Sequence, residues 1–344
     1  MAVYTQISEL EMAAFLADYE LGELNEMKPI IGGVSNSNYL LLIRHPEGAQ
    51  RLKDFQRVAQ DPSLPLRFRS VSVQDDGRYI FTIFENINSQ ELPFFIGLTE
   101  HLNKKSIKCP RPIHDRAGKV IQEIKDKPAI LVEFLEGQES KETTKEQIKK
   151  IGELVAKLHL AVADFLPSRE NPYSLTKIEK IFQKMQGLKE QENIEKEFLF
   201  LKENMPNGLP AGIIHADIFP DNVFFKGEEV SGIIDFYLAC TGFFAYDLAI
   251  AINAWCFDAQ HNFLPEFAQI LLGAYQKIRI LSKEEKENFV ILARLAALRF
   301  LITRLYAEKN IYAGAVVSNK NPEEYAKKLE FWQNYFPCTV LLET

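Results

Sequence analysis

The sequence predicts an α+β chain of two lobes. Residues 1–135 form a small, mostly antiparallel β-sheet, and residues 136–344 form a mainly helical lobe. Three observations carry the prediction. Runs such as RYIFTIFE (78–85) alternate with a period of two, placing Ile80, Thr82 and Phe84 on one face and Tyr79, Phe81 and Ile83 on the other. From about residue 140 the apolar period becomes helical, as in Ile148, Ile151, Leu154, Val155 and Leu158. A short β interlude, GIIHADIFPDNVFFKGEEVSGIIDFYLAC (212–240), then interrupts the helices.

Each element follows from its own signals. Ser8 and Glu11 form a capping box for an N-terminal helix, with Ile7 and Met12 as its flanking staple. KPIIGGV and NYLLLIR, separated by the small residues SNSN, read as a hairpin. Residues 44–77 are rich in Arg, Asp, Pro and Ser. They predict an elaborated hairpin loop with structure of its own, since a bare loop that long is improbable. Leu92, Phe95, Leu98 and Leu102 predict a helix over 90–106, which CPRPI ends because proline cannot continue it. HDRAGKVIQEIKDKPAILVEFLEG reads as a further hairpin. Helices are predicted over 143–164 and 171–205, then at DLAIAINAWCF, 263–278, 283–308 and 322–335.

At 344 residues the chain has room for about two domains. Forty Lys and Arg against 47 Asp and Glu give a net charge of −7, which argues against a nucleic-acid binder working through a broad basic face. No stretch approaches the roughly 20 apolar residues that span a bilayer, and the N-terminus carries acids where a signal peptide carries bases. Cys109, Cys240, Cys256 and Cys338 are widely spaced, with no C-x-x-C, so they read as reduced thiols of a cytoplasmic protein.

The chemistry concentrates in 213–237. His215, Asp217 and Asn222 stand as H-A-D-x-x-x-x-N, and Asp235 follows a hairpin as I-I-D-F. Phosphoryl transfer from a nucleotide needs one carboxylate to orient the accepting hydroxyl and take its proton. It also needs one or two oxygen ligands to hold Mg²⁺ on the phosphates. Asp217 supplies the first, and Asn222 and Asp235 the second. No Walker A sequence occurs, and no G-x-G-x-x-G follows a strand, which excludes the P-loop route and disfavours a dinucleotide fold.

This pattern resembles the catalytic core of the protein-kinase-like fold. The H-x-D variant is similar to that of the aminoglycoside phosphotransferase and choline kinase branch. Within that branch the homoserine kinases are the nearest resemblance, through GGVSNSNYLL, ELPFFIGLTEHL, CPRPI, IIHADIFPDNVFF, IIDFYLACTGFFAYDLA, INAWCF and ALRFLITRLY. The resemblance implies an ATP- and Mg²⁺-dependent enzyme of threonine biosynthesis that phosphorylates the hydroxyl of L-homoserine, with the nucleotide held in a cleft between lobes. By the same resemblance Asp217 is the base, His215 takes part in catalysis or orients the loop, and Asn222 and Asp235 hold the metal. Gly32, Gly33, Ser35, Asn36 and Ser37 belong to a phosphate-covering loop, and main-chain groups from Glu133 to Leu135 read adenine.

One departure is Thr82, which stands where most kinases of this fold place a phosphate-gripping Lys; Arg78 and Lys28 are the candidates to replace it. The carboxylate of homoserine calls for a fixed cation. Arg299 and Arg304, on an apolar helix, are the expected ligands, with Tyr237, Trp255 and Asn36 shaping the pocket. The rival acceptors are choline, ethanolamine, methylthioribose and an aminoglycoside. A nucleotide-binding scaffold without catalysis is the rival from another class.

Overall fold

The structure, a computed structural model, describes residues 5–30, 36–44, 76–85, 87–185, 187–309 and 320–335. Most of the 44–77 segment, Cys338, and Gly32, Gly33 and Ser35 of the predicted phosphate loop lie outside the described residues. The chain divides into two compact units. One comprises Met1–Ile96 with Pro110–Phe134, the other Gly97–Cys109 with Leu135–Thr344.

The first unit begins with α1 (Glu9–Leu16). The Ser8 hydroxyl accepts the Glu11 amide, and the Glu11 carboxylate returns the bond to the Ser8 amide. Five strands follow: β1 (Glu23–Pro29), β2 (Asn36–Arg44), β3 (Asp76–Phe84), β4 (Gln122–Ile124) and β5 (Lys127–Glu133). They form one antiparallel sheet in the order β1-β2-β3-β5-β4. The alternation read in RYIFTIFE decides its faces. Tyr79, Phe81 and Ile83 join Tyr39, Leu41, Ile43, Ala129 and Leu131 in a core with Met12 and Leu16 of α1. Strand β1 starts at Glu23, ahead of the predicted KPIIGGV. ELNEMKP has little alternation of its own, and its pairing with β2 sets its extent.

α2 (Leu92–Lys104) is divided between the two units and buries Leu92, Phe95, Leu98 and Leu102, as its spacing predicts.

The second unit contains α3 (Lys145–Ala161), α4 (Leu175–Phe182) and α5 (Gln191–Asn204). The predicted single helix over 171–205 is therefore two helices, and Gly187 in the connection takes a left-handed φ of 68° that no continuing helix adopts. Two small antiparallel ladders come next. β6 (Ala211–Ile214) pairs with β9 (Cys240–Phe243), and β7 (Val223–Lys226) pairs with β8 (Glu229–Ile233). The rest is helical: α6 (Phe244–Trp255), α7 (Pro265–Gln276), α8 (Lys283–Glu287), α9 (Phe289–Lys309) and α10 (Pro322–Asn334). α9 packs against α4, α5, α6 and α10 and buries most of its length. Among the described residues no helix is long and apolar enough to cross a membrane.

Candidate active site

The loop His215–Asn222 links β6 to β7, and its geometry turns on Ala216. This residue has φ 63°, a left-handed conformation that disfavours a side chain. It is gripped at both peptide groups. Its N–H donates to Asp247 Oδ1 at 2.8 Å, and its carbonyl accepts from Arg299 Nη1 at 2.5 Å. An anion and a cation, both buried, thus hold the bend that precedes Asp217.

His215 serves the same loop. The Asp217 amide donates to its Nδ1 at 3.2 Å, and its Nε2 meets the Ile234 carbonyl at 3.0 Å. The network therefore assigns the ring proton to Nε2, and both ring nitrogens are used on main chain. This makes His215 an orienter that ties the loop to the strand leading into Asp235.

Asp217 and Asn222 meet directly. Asn222 Nδ2 donates to Asp217 Oδ2 at 3.0 Å and to the Asp217 carbonyl at 2.8 Å, so Asn222 Oδ1 is the atom left for a cation. Asp235 follows β8 with φ 64° and ψ 61°, a conformation that Asp tolerates better than most residues. Burial pushes the Asp217 carboxyl above the usual carboxylate range, against the opposing charges of Arg299 and Lys320. Asp235 is raised too, first by crowding protein atoms and then by the charge of Asp217, although solvent still reaches the residue. A carboxylate whose affinity for protons is raised by a neighbouring carboxylate, as Asp235's is by Asp217, forms a place that a cation relieves.

The donor set is oxygen only. Among the described residues no cluster of three or more His, Cys, Asp or Glu could hold a metal unaided. Asn222 and Asp235 fit a hard divalent ion that takes its remaining ligands from phosphate oxygens and water.

Beneath the loop lies a chain of bonds that the motif does not reveal. Asp247, fully buried on α6, accepts from the amides of Ala216 (2.8 Å) and His215 (3.0 Å) and from His159 Nε2 (3.1 Å). His159 Nδ1 is 2.8 Å from the Tyr275 hydroxyl, which accepts from Arg279 at 3.0 Å, and Arg279 pairs with Glu285 at 2.9 Å. Burial holds the His159 pKa below its ordinary value. A neutral ring that donates to Asp247 and accepts from Tyr275 satisfies every partner. One signal in the sequence points here: a single acid inside the apolar run FAYDLAIAINAW has to be paired.

Neither arginine expected to meet a substrate stands open. Arg299 is 2% exposed and holds Ala216. Arg304 is 8% exposed and donates to Glu324 at 2.6 Å and to the Asn321 carbonyl at 2.9 Å. Tyr237 lies in the turn Phe236–Leu238, and its amide bonds the Asp235 carboxylate. Trp255 donates to the Ile218 carbonyl at 2.9 Å and so braces the loop from α6. The three described cysteines are free and buried, and burial pushes the Cys109 and Cys240 thiols up to about 12.

In the sheet unit, Asn36 opens β2 opposite Phe84. Ser37 turns inward, bonding Glu85 and accepting the Thr5 amide at 3.0 Å. Its hydroxyl is therefore committed to the fold. Thr82 donates to Asn38 Oδ1 at 2.8 Å. Lys28 pairs with Glu26, and the Arg78 guanidinium lies 4.6 Å from the Phe134 ring centroid. Glu133 pairs with Arg111 and takes its backbone place opposite Tyr79. Leu135 belongs to the second unit and packs its side chain against Gly232 of that same unit, where a Cβ would clash.

Residues 26–281 match the phosphotransferase enzyme family (APH). The chain is 41% identical over 340 residues to a homoserine kinase of Xanthobacter autotrophicus, covering 97% of this chain and 96% of that one. It is 39% identical over 338 residues to a homoserine kinase of Brucella anthropi, covering 96% and 94%. A solved amicoumacin kinase, in complex with AMP-PNP and Ca²⁺, superposes with a TM-score of 0.65 at 13% identity, covering 98% of this chain and 94% of that one. At that identity the likeness is one of fold, and the fold is the bilobal one the sequence predicts.

Proposed function

This chain belongs to the phosphotransferase enzyme family, and from that premise we propose that it is an ATP-dependent homoserine kinase. It moves the γ-phosphoryl group to the side-chain hydroxyl of L-homoserine and gives O-phospho-L-homoserine. Near-full-length relatedness to homoserine kinases supports the acceptor. The observation that supports the chemistry is the contact of Asn222 with Asp217 in the loop that Asp247 and Arg299 hold.

Asp217 is the base. Its desolvated carboxylate, raised in pKa, orients the acceptor hydroxyl and takes its proton as the oxygen attacks. Phosphoryl transfer leaves little covalent work for the protein, so positioning and charge dominate. Asn222 and Asp235 would hold Mg²⁺, which neutralises charge on the phosphates. His215, Arg299 and Asp247 fix the loop. Residues 1–135 serve the nucleotide, through Gly32, Gly33, Ser35 and Asn36 at the phosphates and the main chain of 133–135 at adenine. Residues 136–344 serve the acceptor, and the enzyme works in the cytoplasm.

A coupled ADP-release assay tests this reading with MgATP and L-homoserine, choline, ethanolamine, methylthioribose and an aminoglycoside. The expected result is a kcat/KM for L-homoserine above every other acceptor by on the order of 10²-fold or more. A preference for another alcohol would overturn the assignment of acceptor.

The charge next to the base gives a second test. Arg299 opposes the upward shift of Asp217, so Arg299→Met should raise the Asp217 pKa further. A base must be deprotonated, so the acidic limb of the kcat/KM profile moves to higher pH. Arg299→Lys keeps the charge and should move it less. A limb that stays in place in Arg299→Met would show that the guanidinium does not tune the base.

A further inference from the structure

The acceptor reading needs a cation and an anion for a small zwitterion, but Arg304 is committed to Glu324 and the Asn321 carbonyl, and Arg299 is buried on the Ala216 carbonyl. A half-open ion pair stands beside the catalytic loop instead. Lys320 Nζ lies 2.6 Å from Asp221 Oδ2, with side chains 49% and 46% exposed. Asp221 sits in the turn Pro220–Asn222, next to the residue that touches Asp217. The charges of both Lys320 and Asp221 are felt at Asp217.

The pair is fixed from below rather than by its own bond. Lys320 Nζ lies 5.0 Å from the Phe219 ring centroid. The carbonyl of the next residue, Asn321, accepts from Arg304, whose other partner Glu324 also holds Lys328 at 2.5 Å. Lys328 in turn donates to the Asn253 carbonyl at 2.7 Å. Arg304 therefore anchors the backbone from which Lys320 projects.

We propose that the Lys320–Asp221 pair reads the acceptor by opening around it, Nζ taking the carboxylate of the amino acid and Asp221 its ammonium. This rests on the homoserine reading above. An ion pair exposed on both sides contributes little to the fold, so its opening costs little. The zwitterion replaces one ion contact with two and leaves the net charge unchanged. The acceptor is thereby held at the turn that adjoins Asp217.

The test uses the full chain and two truncated acceptors. Propanolamine (HO–CH₂CH₂CH₂–NH₂) lacks the carboxylate of homoserine, and γ-hydroxybutyrate lacks its ammonium. In Lys320→Met the preference for L-homoserine over propanolamine, as a ratio of kcat/KM, should fall by on the order of tenfold or more, while the preference over γ-hydroxybutyrate holds. Asp221→Asn should show the mirror result, and Lys320→Arg should keep both ratios. Ratios are blind to any loss of folded enzyme. If turnover is too slow, the same ratios are read as dissociation constants by titration with AMP-PNP present. Wild-type turnover of L-homoserine with ratios unchanged in both variants overturns this proposal alone. A wild type that turns over another acceptor and not L-homoserine overturns the acceptor reading and this proposal with it.

Discussion

Asp217→Asn is expected to lower kcat by about 10²–10⁴-fold, the range typical of a positioned general base, while nucleotide binding persists. The substitution keeps the shape of the side chain and removes its charge. Asn222 can still give its amide to the Asp217 main-chain carbonyl, so the turn survives. Proton acceptance from the attacking hydroxyl does not survive. Asp235 would lose the neighbouring charge that raises its pKa and would stay ionised to lower pH, which leaves the metal ligand intact. Turnover is measured by ADP release and binding by titration with AMP-PNP. A variant that keeps turnover within tenfold of wild type would remove Asp217 from the role of base.

How far the site was legible depends on sequence separation. Asp217 and Asn222 lie five residues apart in one loop, and a single spacing brought them together. Asp235 needed only the intervening hairpin, and β7 and β8 are that hairpin. Asp247 is 31 residues from Ala216 and Arg299 is 83, so their convergence depends on tertiary packing that no local period encodes. The arginines are buried cations on an apolar helix, a placement that calls for an anionic partner. The partners are a carbonyl, Ala216 O, and an acid with a carbonyl, Glu324 and Asn321 O. Lys320 left no mark in the sequence, since a Lys before a helix is ordinarily a solvated charge. At Glu23 pairing with β2 overrides pattern and sets the strand boundary, and at Gly187 a left-handed turn breaks a helical charge pattern that runs on past it.

Asp247→Ala should be the most destabilising of these substitutions. It removes the acceptor of three buried donors, the His215 and Ala216 amides and His159 Nε2. An unsatisfied buried donor costs about 1–3 kcal/mol, so the loss is about 3 kcal/mol or more. At the roughly 2–4 °C per kcal/mol of a unit this size, Tm should fall by roughly 6–12 °C. Asp247→Asn should be only partly protected. Both carboxylate oxygens accept from N–H groups, so an amide nitrogen at either position faces a donor. The pH dependence separates this role from generic packing. Burial works against ionisation of Asp247, but hydrogen bonds from the His159 ring and the Ala216 amide hold its pKa below the ordinary value. A carboxylate depressed in the folded state lends stability that is whole above its unfolded pKa of about 4 and is lost as pH falls through the lowered folded value. The Tm difference between wild type and Asp247→Asn should therefore be full at neutral pH and shrink in acid. Asp217 and Asp235 carry the opposite sign, because their raised pKa values weaken the fold at neutral pH and that loss is recovered on protonation. The buried acid thus stabilises the loop that keeps two unfavourable carboxylates in place for chemistry. A Tm difference between wild type and Asp247→Asn that is independent of pH would show that its charge has no such part.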